Sequence, residues 1–181
     1  MVDAPKHDVS EQVDAIVESI VREACISLFK DYSLPIRSVR PGETGEMADD
    51  GFLYCGVIGF CGEQARGTLM LATSSEPLGR TSPVTDGSPR EWIAELSNQL
   101  LGRIKSRLLR RGITVYVSTP VVFGGKHLAP LPRAELEPYS FASDDGLVCV
   151  WFDLELAAGV ALAEESDDAE QPIDEGAGVM F

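Results

Sequence analysis

The stretch 88–112, SPREWIAELSNQLLGRIKSRLLRRG, limits what the rest of the chain can become, because it carries helix signals at both ends and along its length. Ser88 suits the N-cap, Pro89 the first helical position, and Glu91 completes an S-x-x-E capping box. Gly112 suits the left-handed residue that closes a helix. Arg107, Arg110 and Arg111 crowd the last turns, where cations oppose the helix dipole. These bounds give about 23 helical residues, or roughly 34 Å at the α-helical rise. At about 100° per residue, Ile93, Leu96, Leu100, Ile104 and Leu108 gather in one apolar sector. Glu91, Glu95, Asn98 and Gly102 gather on the opposite side. A helix so divided must lie on an apolar surface that the rest of the chain supplies.

Asn98 is the only asparagine in the chain, and it follows Glu95 by three residues. A carboxylate and a carboxamide one turn apart share one solvent-facing ridge. Gly102, one turn further on, lowers helix propensity by about 1 kcal/mol relative to alanine. It also removes bulk beside Asn98, so that another protein surface can come close. The plain alternative is an ordinary solvated helix face. The basic run from Arg103 to Arg111 reads as dipole compensation and solubility rather than as a nucleic-acid surface. The chain carries 29 acids against 15 bases, a net charge of −14, which repels phosphodiester backbones.

Around this helix the pattern changes period. Asp8 and Glu11 form a second capping box, after which Val13, Ile16, Val17, Ile20, Ala24 and Leu28 mark an amphipathic helix ending near Ser33. RPGETGEMADDG is a loop. FLYCGVIGF and ARGTLMLAT are β-type runs joined by CGEQ as a hairpin. SSEPLGRTSPVTDG has turn chemistry and reads as a connection. After the long helix, ITVYVSTPVVF reads as a strand with an edge or bend at Pro120, and FGGKH as a tight turn or loop. ELEPYSFAS and LVCVWFDLELA are strands joined by DDG. The order implies an α+β domain, an antiparallel sheet with long helices packed on it. It spans 1–163, and the acidic, aperiodic segment 164–181 reads as a flexible tail.

The four cysteines, Cys25, Cys55, Cys61 and Cys149, include no C-x-x-C pair, and they read as buried, reduced thiols. His7 and His127 are isolated loop residues rather than ligands. No G-x-S-x-G, P-loop or nucleophile–base pair is present. The N-terminus lacks a signal-peptide pattern and no apolar run is long enough to span a bilayer, so membrane insertion is not expected and the expected compartment is the cytoplasm.

At Glu95-Leu96-Ser97-Asn98 the sequence resembles the CheC/CheX/FliY family of chemotaxis phosphatases, its CheX branch most closely. That family carries E-x-x-N on a long helix, often with a glycine four residues after the asparagine, here Gly102. IGFCGEQARGTLMLAT resembles the family's strand–turn–strand before that helix, and RRGITVYVSTPVVFGG the strand–Pro–Gly segment after it. The resemblance covers roughly residues 10 to 156. It implies a CheX-like fold and dephosphorylation of the phospho-aspartate of a CheY-like receiver domain. Asn98 would orient the attacking water, since a neutral carboxamide can donate to it and accept from it without repelling phosphoryl oxygens. Glu95 would pair with a lysine of the receiver, and Glu91 and Gly102 would lie in the docking surface. The chain itself would bind no cofactor; the Mg²⁺ would belong to the partner receiver. Family members often have a further helix where this chain has the short interval 74–87, and CheC-type proteins carry two E-x-x-N motifs against one here. CheX-type proteins form dimers by extending their sheets, so a homodimer is expected as a possibility. The altered interval and the acidic tail also suit a second reading, a non-catalytic receiver-binding or signalling adaptor on the same fold.

Overall fold

The computed structural model describes residues 6–40, 52–83, 87–126 and 136–165. The elements in chain order are α1 (Lys6–Asp31), β1 (Arg37–Val39), β2 (Phe52–Cys61), β3 (Ala65–Ser74), α2 (Ser75–Thr81), α3 (Pro89–Arg110), β4 (Tyr116–Val117), β5 (Val121–Lys126), β6 (Tyr139–Ser143) and β7 (Gly146–Leu156). The strands form one antiparallel sheet in the order β1-β6-β7-β3-β2-β4, with β5 also paired to β2. α1 and α3 pack on one face of it and against each other. This is the expected α+β arrangement.

The core follows from the two periodicities. Alternate residues of neighbouring strands point to the same face, so Ile58, Leu69 and Phe152 line up across β2, β3 and β7. Together with Phe60, Leu71, Val148 and Val150 they form the apolar bed. Ile20, Ala24 and Leu28 of α1 and the stripe Ile93, Leu96, Leu100, Ile104 and Leu108 of α3 are buried on it. The opposite face carries a smaller buried cluster of Leu53, Cys55, Met70, Ala72, Cys149 and Trp151.

Both long helices close by the same hydrogen-bond pattern. Gly112, at φ +80°, donates to Leu109 O at 2.9 Å while Ile113 N–H reaches back to Leu108 O at 3.0 Å. At the end of α1, Ser33 takes the left-handed position at φ 58°, with Ser33 N–H to Lys30 O at 2.9 Å and Leu34 N–H to Phe29 O at 3.0 Å. Leu34 is buried, which helps to hold a conformation that serine seldom adopts.

Several local readings are corrected. α1 starts at Lys6, ahead of the Asp8–Glu11 box, so His7 lies in a helix, not a loop. Ser88 is the N-cap of α3, but its side chain makes no cap hydrogen bond, and only its carbonyl is engaged, by Trp92 N–H at 3.0 Å. The interval read as a connection contains α2. Pro77 fits its first turn, where the missing N–H has no intrahelical partner to lose, and Pro77, Leu78 and Thr81 are buried. FGGKH is not a turn: β5 runs through Gly124 and Gly125 to Lys126, and Gly124 makes room for the Phe52 ring, whose Cε1 would lie 3.1 Å from a Cβ built there. ELEPYSFAS starts pairing only at Tyr139, after Pro138. The bend expected at Pro120 is present. Phe60 pairs Val117 and Val57 pairs Val121, so the segment 118–120 faces only Ile58 and Gly59 of β2, a one-residue bulge. The loop 41–51, His127 and the segment 166–181 of the expected tail lie outside the described residues.

α3 sits unusually close to β2 at one point. A Cβ built on Gly56 would run into Ser97 Oγ and lie 3.2 Å from Ile93 O. Ser97 is buried and its hydroxyl donates to Ile93 O at 2.7 Å, so it cannot swing away freely. Gly56→Ala is therefore expected to destabilise the fold by about 1–3 kcal/mol, the usual range for overpacking, read as a lower denaturant midpoint. The added Ser97→Gly change should recover part of that loss.

Candidate functional site

Burying Ile93, Leu96, Leu100, Ile104 and Leu108 determines which way the rest of α3 faces. Glu91, Glu95, Asn98 and Gly102 are all exposed, as is Ser106 beyond them. They form one ridge along the outer side of the helix. Among the described residues no hydrogen bond engages the Asn98 carboxamide. A Cβ built on Gly102 would meet nothing within 4 Å among the described residues, so packing against them does not require this glycine.

Glu95 is not isolated on the ridge. Its Oε1 accepts from Gln99 Nε2 at 2.7 Å, one helical turn on. Gln99 Oε1 in turn accepts from the Tyr32 hydroxyl at 2.8 Å, a contact from the end of α1. The Tyr32 ring meets Trp92 edge to face, with centroids 5.1 Å apart and planes at 85°. Trp92 Nε1 donates to Thr81 Oγ1 of α2 at 3.0 Å. The sequence reading missed Gln99 and Tyr32. The spacing from Glu95 to Gln99 was a usable local signal; Tyr32 lies 67 residues away in the chain, and no local pattern joins it to them.

The arginine run does more than oppose the dipole. Arg103 Nη2 pairs with Asp31 Oδ2 at 2.7 Å and its Nη1 donates to Ser27 Oγ at 3.1 Å, tying α3 to α1. Arg107 lies 3.9 Å from Glu23, and Arg110 and Arg111 both pair with Glu165, at 3.7 and 3.2 Å.

Cys25, Cys55 and Cys149 are buried as expected, but Cys61 is exposed at the end of β2, where it pairs with Arg66 and Tyr116 on the sheet face opposite the helices. Burial, reinforced by Cys149, pushes the Cys55 thiol up to about 11, and burial also raises Cys25 and Cys149. None of these three is a nucleophile near neutral pH. No three His, Cys, Asp or Glu side chains cluster as a metal site among the described residues. Among those residues no helix is long and apolar enough to cross a membrane.

No protein-family model and no curated protein matches this chain. Solved structures do. A CheC-like superfamily protein from Shewanella sp. PV-4 superposes with a TM-score of 0.64 at 18% identity, over 77% of this chain and 97% of that one. The chemotaxis protein CheX from Vibrio vulnificus gives a TM-score of 0.62 at 20% identity, over 77% and 96%. A CheX–CheY–BeF₃–Mg²⁺ complex from Borrelia burgdorferi gives 0.56 at 17% identity, over 76% and 96%. The chain has the CheX-like fold.

Three measurements check this geometry. Gly102→Ala should raise stability by up to about 1 kcal/mol, the helix-propensity difference, seen as a higher unfolding midpoint. A thiol reagent at neutral pH should label Cys61 alone until denaturant exposes the others. The folded chain holds the Cys55 proton to about 11 while an unperturbed thiol loses it at 9.0, so stability should fall as pH rises through that window.

Proposed function

We propose that this chain is a phosphatase of the CheC/CheX/FliY family that removes the phosphoryl group from the aspartate of a CheY-like receiver. The observation that carries this reading is the pairing of an exposed carboxylate and an exposed carboxamide, Glu95 and Asn98, one turn apart on the outer side of the long helix of a CheX-like fold. The complex of CheX with CheY supports the class of partner.

In this reading the reaction is transfer of the receiver's phosphoryl group to water. A bond forms between the water oxygen and phosphorus as the bond from phosphorus to the aspartyl oxygen breaks. The aspartate leaves as a carboxylate and inorganic phosphate carries away the water's protons. The metal that offsets the phosphoryl charge is the receiver's Mg²⁺. Asn98 supplies orientation: its carbonyl oxygen accepts from the water and its amide donates, so the lone pair of the water is aimed in line with the breaking bond. Glu95 takes a receiver lysine and sets the register of the ridge. Gly102 lets the receiver backbone approach one turn beyond Asn98, and Glu91 borders the same surface. α2 fills the interval whose shortness favoured the adaptor reading, which leaves that alternative to experiment.

The same reading includes a homodimer. β4 and β5 occupy the sheet edge beside β2, and Tyr116, Val121 and Phe123 are exposed there. Val121→Lys should shift the sedimentation coefficient from dimer to monomer.

The central test uses CheY-like receivers phosphorylated with a small phosphodonor, following loss of the acyl phosphate. Asn98→Ala should lower kcat by about a hundredfold or more, the loss typical of a group acting only at the reacting centre, with KM little changed. Glu95→Ala should raise KM by more than about tenfold, as loss of one partner of a docked charge pair does. Unchanged kinetics in both variants would sink the assignment. Tight receiver binding with no faster loss of phosphate would select the adaptor.

A further inference from the structure

We infer that Gln99 and Tyr32 are positioning residues for receiver docking: they hold the Glu95 carboxylate in the orientation in which it meets the receiver's cation. This deepens the proposed function and rests on it. A Gln and a Glu four residues apart on an exposed helix often touch, and alone such a pair is worth only a few tenths of a kcal/mol. Here a second element intervenes. The Tyr32 hydroxyl, just beyond the end of α1, donates to Gln99 Oε1 at 2.8 Å. The Glu95 carboxylate accepts only, so it takes Nε2, 2.7 Å away, and the Tyr32 hydroxyl holds the oxygen end of the amide turned the other way. One carboxylate oxygen is thereby occupied and Oε2 is left for a partner.

Tyr32 is itself held. It follows the last residue of α1, and the left-handed Ser33 turns the chain immediately after it. Its ring stands edge-on to Trp92, 5.1 Å between centroids, and Trp92 is anchored through Nε1 to Thr81 Oγ1 at 3.0 Å. Nearby, Arg103 bridges α3 to Asp31 at 2.7 Å. The end of α1, α2 and the middle of α3 thus converge on one side chain of the ridge. Asn98, by contrast, has no such tether among the described residues. A fixed docking carboxylate beside an unconstrained carboxamide lets binding define the register before the amide meets its water.

Tyr32→Phe keeps the ring and removes only the donor; Gln99→Met keeps the length and removes the amide. Each should raise KM for the phosphorylated receiver roughly three- to tenfold, as expected for the net loss of one ordinary hydrogen bond, with kcat within about twofold. The double variant should be no worse than the worse single one, because both break the same chain. In the free protein the Gln99 side-chain amide should give a resolved NMR proton pair with slowed exchange, and Tyr32→Phe should collapse it toward the solvent-exposed position. A mobile Gln99 amide in the unmutated protein overturns the inference whatever the receiver does. So does an unchanged KM in both variants of an active phosphatase, or a double variant whose losses simply add. If the amide is held but the unmutated protein neither binds nor dephosphorylates any receiver, the proposed function fails and takes the docking role with it, while the relay itself stands.

Discussion

The seat of α3 on β2 is the constraint on which the rest depends. Gly56 has no side chain, and Ser97 with the Ile93 carbonyl occupies the space that one would need. The helix backbone therefore comes close to the sheet, and the large residues on either side, Ile93, Leu96, Leu100 and Leu101, are fully buried. Each such side chain contributes about 1.5–3 kcal/mol on burial, whereas an exposed ion pair contributes at most about 1 kcal/mol. The rotation of α3 is accordingly set by its apolar stripe. Turning the helix by one residue would bring Glu95 and Asn98 toward the sheet and lift leucines into water. The candidate ridge faces outward because the opposite side has to face inward.

α1 plays a second role once α3 is seated. It completes the apolar layer through Ile20, Ala24 and Leu28, and its end stops beside the middle of α3. The left-handed turn at Ser33, secured by the buried Leu34, decides where Tyr32 comes to rest. The Arg103–Asp31 and Arg107–Glu23 pairs run along the same seam. They are partly exposed, so they help select how the two helices align more than they stabilise the pairing. The result is a rigid platform on which one charged and one neutral side chain are presented with different freedom.

Much of this was legible in the chain. The α3 stripe, Gly112 at its end, the hairpin of β2 and β3 and the bend at Pro120 each rest on a local rule: a period of 3.6, a left-handed cap, alternation, a missing N–H. The readings that failed share a cause. The α2 segment reads locally as a connection because its Ser, Pro and Gly are turn residues, and only packing of Leu78 and Thr81 makes a helix of them. FGGKH looked like a turn because two glycines normally end a strand, yet β2 supplies hydrogen bonds and the Phe52 ring needs the space. The exposure of Cys61 follows from its place on the sheet face that the helices leave uncovered, beside Arg66.

The candidate site divides in the same way. Glu91, Glu95, Asn98 and Gly102 share a ridge because the helical period alone puts them opposite the leucines, and period is a property of the sequence. Which atoms Glu95 meets was decided elsewhere. Tyr32 reaches Gln99 across 67 positions of chain, and that contact exists only because two helices pack against each other on one sheet. Local rules act over a turn or a hairpin, so they could choose the face of α3; bringing a phenol from α1 to orient an amide on α3 needed the packing of the whole layer.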